Sequence, residues 1–312
     1  MTPIPVNREK YNLEIEQDYK LYLSRERGLT PATIQFHLYH THRFLQECFG
    51  SRDIKLHRIR QKDITNYIVR YAPGYRQRSA QTWISTLRCF MRYLNQRGDT
   101  TTDMTGCVLK TANWNLAGLP KYIESDKVEE LIESINRSTP SGRRDYAILI
   151  IIARLGLRAG EVANLDLDNI DWHNGTLRVK GKNSRWSCLP FTQEVGDAII
   201  DYLRRGRPSC STRKVFVTAV APYNVTSSAC ISQRVAYHLS HAGIEVAKKG
   251  AHVLRHSLAT RMIRSGNTLE EICQVLRHLH LSTTEIYAKV DYTALKEIAQ
   301  PWPGTRTYKT SK

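Results

Sequence analysis

The chain has 312 residues, of which 41% are hydrophobic, so it is long and apolar enough for two globular domains and is not a disordered chain. Its 46 lysines and arginines against 29 aspartates and glutamates give a formal net charge of +17, which favours a polyanionic partner because basic groups that bind phosphates release counterions. No apolar run reaches the roughly 18–20 residues that cross a bilayer, which excludes a membrane-spanning helix, although a ribosomal or membrane-surface protein would be similarly basic.

Residues 1–98 show only helical patterns. A helix is predicted over about residues 13–25, and Thr30-Pro31 supplies an N-cap and a first-turn proline for the next one. A third helix covers about residues 63–71, and a fourth starts at Ser79. Apolar residues recur on the fourth helix at helical spacing and are expected to face the core: Trp83, Leu87, Phe90, Met91 and Leu94.

Arginines lie on or just before this fourth helix, outside its apolar stripe, at Arg76, Arg78, Arg88 and Arg92. A basic helix face is usually solvated surface, but in a chain of net charge +17 it is also a candidate for contact with a phosphate backbone. We interpret these four arginines as candidate DNA-binding residues, with ordinary solvation as the alternative.

A polar, threonine-rich stretch at residues 98–106 separates this region from the rest of the chain. We predict a linker at residues 99–120 and a second domain at residues 121–312, in which helices start near Ser125, Arg143 and Gly160. Strand periodicity then predicts short strands at residues 169–171, 176–180 and 186–191, before helices resume at Thr192. The predicted fold class is mainly α with a small antiparallel β-sheet: a helical N-terminal domain followed by an α+β domain.

Arg158 follows Gly156, a glycine that is predicted to end a helix, on the turn into the next helix. A turn can aim a guanidinium at a pocket, and the planar fork of an arginine binds two phosphate oxygens at once. The alternative is a surface ion pair, for which Glu161 is the nearest candidate.

His252, Arg255 and His256 fall within one predicted turn of helix, so His252 and Arg255 share a face. Two histidines at this spacing also occur in zinc proteases, but Val253 stands where those proteins need a glutamate, and we predict no metal site. For His256 we expect a buried imidazole that is hydrogen-bonded to backbone.

Thr268–Glu271 forms a capping box, which predicts a helix with His278 at its C-terminal end. The helix dipole at that end favours a charged imidazolium, which suits a ligand for a phosphate oxygen. Ser282 is the predicted N-cap of a short helix that carries Tyr287. Lys182 lies in a turn between two predicted strands, where it is either solvated or a general acid for a departing oxygen.

Taken in this order, the motifs resemble those of the tyrosine recombinases, the family of phage integrases and Xer-like recombinases, over nearly the whole chain. The matching segments are the arginine motif at Leu155–Glu161, the hairpin lysine at Val179–Lys182, the His-x-x-Arg box at His252–His256 and the closing segment at Leu276–Tyr287. The departures are Arg277 in place of the usual glycine, Gly160 in place of a small hydroxyl residue, and Ala288-Lys289 in place of a frequent Thr-His. None of them removes a catalytic group, but Arg277 favours a mobile-element integrase or transposase over the cellular Xer subgroup.

The resemblance implies that the N-terminal helices form a core-binding domain and that Tyr287 attacks a scissile DNA phosphate. The products would be a 3′-phosphotyrosyl bond and a free 5′-hydroxyl, and a 5′-hydroxyl from a second duplex would reverse the step. No ATP, metal ion or other cofactor is implied, because the bond energy is kept in the phosphotyrosine. The implied partners are double-stranded DNA with inverted-repeat sites and three further protomers, either of this chain or of related recombinases, which complete a tetramer.

The resemblance also implies roles for the other polar groups. Arg158, Arg255 and His278 would bind the nonbridging phosphate oxygens and stabilise the transition state. Lys182 would protonate the leaving 5′-oxygen, and His252 would assist as a base or as a positioning group.

Two alternatives remain at this point, a type IB topoisomerase that reseals the same strand and a DNA-binding protein with an inactive site. Seven scattered cysteines and an N-terminus without an apolar leader predict reduced thiols in a cytoplasmic, nucleoid-associated protein.

Overall fold

A computed structural model of the protein describes residues 8–50, 54–100, 102–108, 122–181, 185–247 and 249–290, without the side chains of residues 8–13, 78 and 288–290. The chain divides into two compact units, Met1–Asn115 and Leu116–Lys312. None of the helices in the described ranges is long and apolar enough to cross a membrane.

The described part of the first unit contains four α-helices, α1 (Arg8–Arg25), α2 (Pro31–Phe49), α3 (Gln61–Tyr71) and α4 (Gln77–Arg97). Single turns of 3₁₀ helix lie at Leu56–Arg58, Ala72–Gly74 and Thr105–Cys107. The predicted start of α2 is confirmed, because the Thr33 N–H donates to Thr30 Oγ1 at 3.4 Å and Pro31 occupies the first turn.

The core of this unit is aromatic and is centred on α4. Every apolar residue predicted to face inward on this helix is at most 2% exposed: Trp83, Leu87, Phe90, Met91 and Leu94. The Trp83 ring meets Tyr67 edge-on at a centroid distance of 5.6 Å, and Phe90 meets Tyr19 in the same way at 5.0 Å. Full burial of each large side chain stabilises the fold by roughly 1.5–3 kcal/mol, so this stripe joins α4 to α1 and α3.

The second unit contains seven α-helices in the described ranges: α5 (Ser125–Glu133), α6 (Pro140–Leu155), α7 (Ala159–Ala163), α8 (Gln193–Arg205), α9 (Ser228–His241), α10 (Ala251–Arg264) and α11 (Leu269–Leu276). Turns of 3₁₀ helix lie at Leu167–Asn169, Leu281–Thr283 and Glu285–Val290.

The three predicted strands form one antiparallel sheet in the order β1 (Ile170–Asp171), β2 (Thr176–Lys180) and β3 (Trp186–Pro190). Leu177 of β2 pairs with Ile170 on one side and with Leu189 on the other. Leu177 and Val179 are buried and Arg178 between them is exposed, so one face of the sheet packs on the core. The prediction of a mainly α fold with a small antiparallel sheet is confirmed.

Helix α6 is the centre of this unit and contacts α5, α7, α8, α9 and α10. The five consecutive residues from Ile148 to Ile152 are all fully buried, which is typical of a helix that is enclosed on every side. The helix ends at Gly156, whose φ is +60°. A Cβ atom there would lie 2.9 Å from the Cδ2 atoms of both Leu258 and Leu276, so the turn that leads to Arg158 needs glycine for its backbone and for its packing.

Candidate active site

Arg158 lies on the turn that begins α7, where it meets a buried carboxylate. Its backbone N–H donates to Glu161 Oε2 at 2.9 Å, and its Nη1 donates to Oε1 at 2.8 Å. The side chain of Glu161 is 4% exposed and that of Arg158 is 32% exposed. The ion pair that the sequence suggested therefore exists, but it is half-buried, and the guanidinium still reaches solvent.

Arg255 on α10 is buried and joins the ends of two helices. Its guanidinium donates to the carbonyl oxygen of Gly156, at the end of α6, and to that of Leu276, at the end of α11. Burial first, and then repulsion by Arg158 and Arg277, lowers the pKa of the Arg255 guanidinium. Three guanidinium groups therefore share one region of the protein, as a site for an anion requires.

The two histidines of α10 differ in their surroundings. His252 is exposed, and its ring centroid lies 6.5 Å from that of His256. His256 Nδ1 lies 2.6 Å from the hydroxyl oxygen of Tyr287, so the expected hydrogen bond to backbone is replaced by one to the tyrosine. Burial, with His252 and Arg255 nearby, lowers the pKa of His256 to about 4, and the ring is neutral at pH 7.

His278 follows α11 and faces a buried hydroxyl. Its Nδ1 lies 2.8 Å from Thr284 Oγ1, and Thr284 is fully buried. Burial and then repulsion by Arg255 and Arg158 lower the pKa of His278 to about 4. The prediction that the helix dipole keeps this ring charged was wrong, because a dipole effect of roughly 0.3–1 kcal/mol is outweighed by burial among guanidiniums. A Thr284 hydroxyl that donates to Nδ1 leaves the ring proton on Nε2, where it can bind a phosphate oxygen.

Tyr287 is 2% exposed and lies on the 3₁₀ helix Glu285–Val290, which packs against α10. The predicted N-cap at Ser282 was wrong, because this helix begins at Glu285 and the Tyr287 N–H donates to the Thr284 carbonyl at 2.9 Å. Burial raises the pKa of Tyr287 to about 12, although Arg255 and Arg158 act to lower it. The phenol is therefore protonated at pH 7 and needs a proton acceptor before it can attack a phosphate.

The structure thus places most of the predicted site residues in one region of the second unit. Arg158 and Arg255 are close enough to affect the pKa values of both His278 and Tyr287, and His252 lies one helical turn from His256. Lys182 lies outside the described residues. Its neighbour Gly181 is the last described residue before the hairpin turn, and a Cβ atom on Gly181 would lie 3.8 Å from Glu161 Oε1.

Sequence reasoning gave no role in the site to His256 or Thr284, and it named Glu161 only as an ion-pair partner for Arg158. Each of the three holds a predicted site residue through a hydrogen bond. The sequence carried only a weak signal for them: His256 follows His252 by one helical turn, and Glu161 is three residues from Arg158. The capping box of α11 was predicted and is confirmed, since Thr268 and Glu271 exchange hydrogen bonds at 2.8 and 3.2 Å.

The candidate DNA-binding arginines of the first unit do not share one environment. Arg76 and Arg92 are exposed. Arg88 is half-buried and its Nη2 donates to the Val108 carbonyl at 2.8 Å, so the prediction that it lies on an open basic face needs correction. The side chain of Arg78 lies outside the described part of the chain.

Two family models match the chain: the phage integrase family over residues 121–294, and the N-terminal SAM-like domain of phage integrases over residues 17–98. A putative integrase/recombinase, y4rA, of Sinorhizobium fredii is 42% identical over 289 residues, which cover 92% of this chain and 70% of the relative. The tyrosine recombinase XerC of Lactobacillus delbrueckii subsp. bulgaricus is 29% identical over 300 residues, which cover 93% of this chain and 99% of the relative.

Solved structures share the fold. A XerH site-specific recombinase bound to a palindromic difH substrate, in a post-cleavage complex, superposes with a TM-score of 0.69 at 19% identity, and the match covers 97% of this chain and 91% of that one. A lambda integrase dimer bound to a COC′ core site superposes with a TM-score of 0.65 at 16% identity, covering 88% of this chain and 94% of that one.

Proposed function

The chain belongs to the phage integrase family and is a tyrosine-type site-specific recombinase, and from that premise we propose that it cleaves and rejoins DNA through a covalent bond between Tyr287 and a 3′-phosphate. The observation that carries the proposal is the buried Tyr287 hydroxyl, 2.6 Å from a neutral imidazole and close to two guanidiniums. This combination supplies a nucleophile, an acceptor for its proton and positive charge for the phosphate.

We assign the phosphate-binding role to Arg158, Arg255 and His278. Arg158 is partly exposed and can use the N–H groups of its fork that Glu161 leaves open. Arg255 is anchored to two carbonyl groups, which fixes its guanidinium before substrate arrives, and preorganised donors of this kind are worth roughly 10²–10³ in rate each. His278 would donate from Nε2, with Thr284 holding the other ring nitrogen.

Two proton transfers complete the step. As the Tyr287 oxygen bonds to phosphorus and the bond to the 5′-oxygen breaks, the phenolic proton passes to a base and the leaving oxygen takes up a proton. The hydrogen bond to Tyr287 makes His256 the supported acceptor, and His252, one turn away and exposed, would orient the phosphate. We retain Lys182 as the acid for the leaving oxygen.

The proposed substrate is double-stranded DNA with inverted-repeat sites, bound by four protomers. Support comes from the net charge of +17 and from fold relatives that were solved on DNA recombination sites.

We propose residues 1–98 as the core-binding domain, 99–120 as the linker and 121–312 as the catalytic domain. The sequence also predicts a C-terminal helix at about residues 293–299, which would either dock on a neighbouring protomer or pack on its own domain, and these residues lie outside the described part of the chain. For the biological role we propose a mobile-element integrase or transposase; the name of the relative y4rA, a putative integrase/recombinase at 42% identity, supports the integrase part of this proposal.

A covalent trap tests this assignment and identifies the DNA site in the same experiment. The protein is incubated with a pool of random-sequence duplexes that carry a 5′-bridging phosphorothiolate, whose thiolate product does not religate. Duplexes that become attached are sequenced, and the most frequent one is the selected duplex. We expect an adduct at Tyr287 that Tyr287→Phe abolishes and that Tyr237→Phe, at an exposed tyrosine of α9, leaves unchanged. An adduct that persists in Tyr287→Phe would refute the proposal.

A further inference from the structure

Arg277 has an unusual backbone for an arginine. Its φ is +54°, and it is the one non-glycine residue in the described ranges with a positive φ. It forms the C-cap of α11 in the left-handed conformation, where glycine is favoured because a Cβ atom is disfavoured. Arginine therefore stands at a position whose backbone conformation favours glycine, and any advantage of arginine there has to come from the contacts of its side chain.

That side chain is directed inward, to the carboxylate that also binds Arg158. It is 9% exposed, and its Nη2 lies 2.7 Å from Glu161 Oε2. A second N–H group, on Nη1, donates to the Val275 carbonyl at 3.0 Å, which fixes the guanidinium. The ion pair joins the end of α11 to the start of α7, although its partners are 116 residues apart in the chain.

Glu161 therefore divides its two oxygens between two arginines. Oε1 accepts from Arg158 Nη1, whereas Oε2 accepts from the Arg158 backbone N–H and from Arg277. Without Arg277, this buried carboxylate would have Arg158 as its one charged partner in the described ion pairs. A carboxylate competes with phosphate for the same guanidinium fork, because both anions bind it in two-pronged geometry.

The charge state of Glu161 agrees with this arrangement. Burial acts to raise the pKa of Glu161, but Arg277 and then Arg158 more than offset that effect and hold the pKa below its ordinary value. Glu161 is therefore ionised at pH 7, and two guanidiniums around one carboxylate leave a net positive charge beside the phosphate site.

We propose that Arg277 is a positioning residue for Arg158: by binding Oε2 of Glu161 and offsetting its charge, it keeps the guanidinium of Arg158 available to the scissile phosphate. The inference rests on the proposed function, in which Arg158 binds that phosphate. It assigns a role to the residue at which this chain departs from the usual glycine of the family.

Three substitutions separate the charge of Arg277 from its backbone. Arg277→Lys keeps the charge and the strained backbone, Arg277→Ala keeps the strain without the charge, and Arg277→Gly removes both. The rate of covalent attachment to the selected duplex is measured, together with the thermal unfolding midpoint. We expect the attachment rate of Arg277→Lys to stay within about threefold of that of the wild type. The rates of Arg277→Gly and Arg277→Ala should fall roughly 10- to 100-fold. An Arg277→Gly variant that attaches to DNA as fast as the wild type would overturn the proposal. Because Arg277→Gly relieves the backbone strain, it remains informative even if Arg277→Ala unfolds.

A rescue experiment tests the route through Glu161. Glu161→Gln removes the competing charge while keeping an oxygen for the Arg158 backbone N–H. The double variant Glu161→Gln/Arg277→Gly should therefore attach to DNA at least several-fold faster than Arg277→Gly alone. Purely additive losses in the double variant would overturn the proposal. A wild type that forms no adduct at Tyr287 would instead refute the proposed function, so the two failures are distinguishable.

Discussion

His256 Nδ1 and the hydroxyl oxygen of Tyr287 lie 2.6 Å apart, across 31 positions of sequence. The contact ties the 3₁₀ helix Glu285–Val290 to α10, the helix that also carries Arg255. The proposed nucleophile is therefore held by an imidazole before substrate binds. A single rigid helix presents both the proton acceptor and one phosphate ligand, which keeps their spacing constant.

Replacement of His256 should impair attack by Tyr287. His256→Leu removes the proton acceptor, and we expect adduct formation on the selected duplex to fall roughly 10²-fold or more. His256→Gln can still hold the hydroxyl but cannot take its proton, so its rate should lie nearer that of Leu than that of the wild type. Binding of the same duplex, measured by fluorescence anisotropy, should change little in either variant. A His256→Leu variant that forms the adduct at the wild-type rate would contradict the assignment of His256 as the proton acceptor.

The two partly buried histidines of the site, His256 and His278, predict how stability depends on pH. The pKa values of His256 and His278 are lowered from 6.5 to about 4, so between these pH values the unfolded chain takes up protons that the folded protein does not. The contribution of the two neutral rings to the free energy of unfolding is fully present above pH 6.5 and is lost as the pH falls towards 4. The free energy of unfolding, measured by urea denaturation at a series of pH values, should therefore decrease as the pH is lowered from 6.5 towards 4. The double variant His256→Asn/His278→Asn should have a shallower slope, and an unchanged slope would contradict the assignment.

Gly156 should tolerate no side chain. Alanine there would adopt a φ of +60° with its Cβ atom 2.9 Å from two leucine methyl groups, so we expect a loss of about 1–3 kcal/mol in the free energy of unfolding. The matched control is Gly160→Ala, because a Cβ atom on Gly160 meets no described atom within 4 Å and alanine favours a helix. Equal stabilities of the two variants, measured by urea denaturation, would refute this account of the turn before Arg158.

Lys182 should matter only when the leaving group needs a proton. Lys182→Ala should slow cleavage of an ordinary phosphodiester in the selected sequence by roughly 10²–10⁴-fold, because an alkoxide is a poor leaving group. On the 5′-bridging phosphorothiolate the defect should largely disappear, since a thiolate departs without protonation. Lys180→Ala, at an exposed position of β2, serves as the control and should cleave both substrates normally. An equal defect on both substrates would assign Lys182 to binding instead of acid catalysis.

The sequence by itself determined the elements of the fold and the identity of the polar groups. Apolar spacing predicted the inward stripe of α4, proline and threonine predicted the start of α2, and alternation predicted the sheet, because each depends on neighbours within a few residues.

Only the tertiary structure decided how those groups act on one another. The contact of His256 with Tyr287, the neutral state of His278 and the sharing of Glu161 by Arg158 and Arg277 all join segments that are distant in the chain. Burial and the charge of neighbouring side chains set pKa values and hydrogen-bond partners, and both quantities depend on how the helices pack. Periodicity therefore predicted which residues share a helix face, whereas packing determined which of them share a proton or a charge.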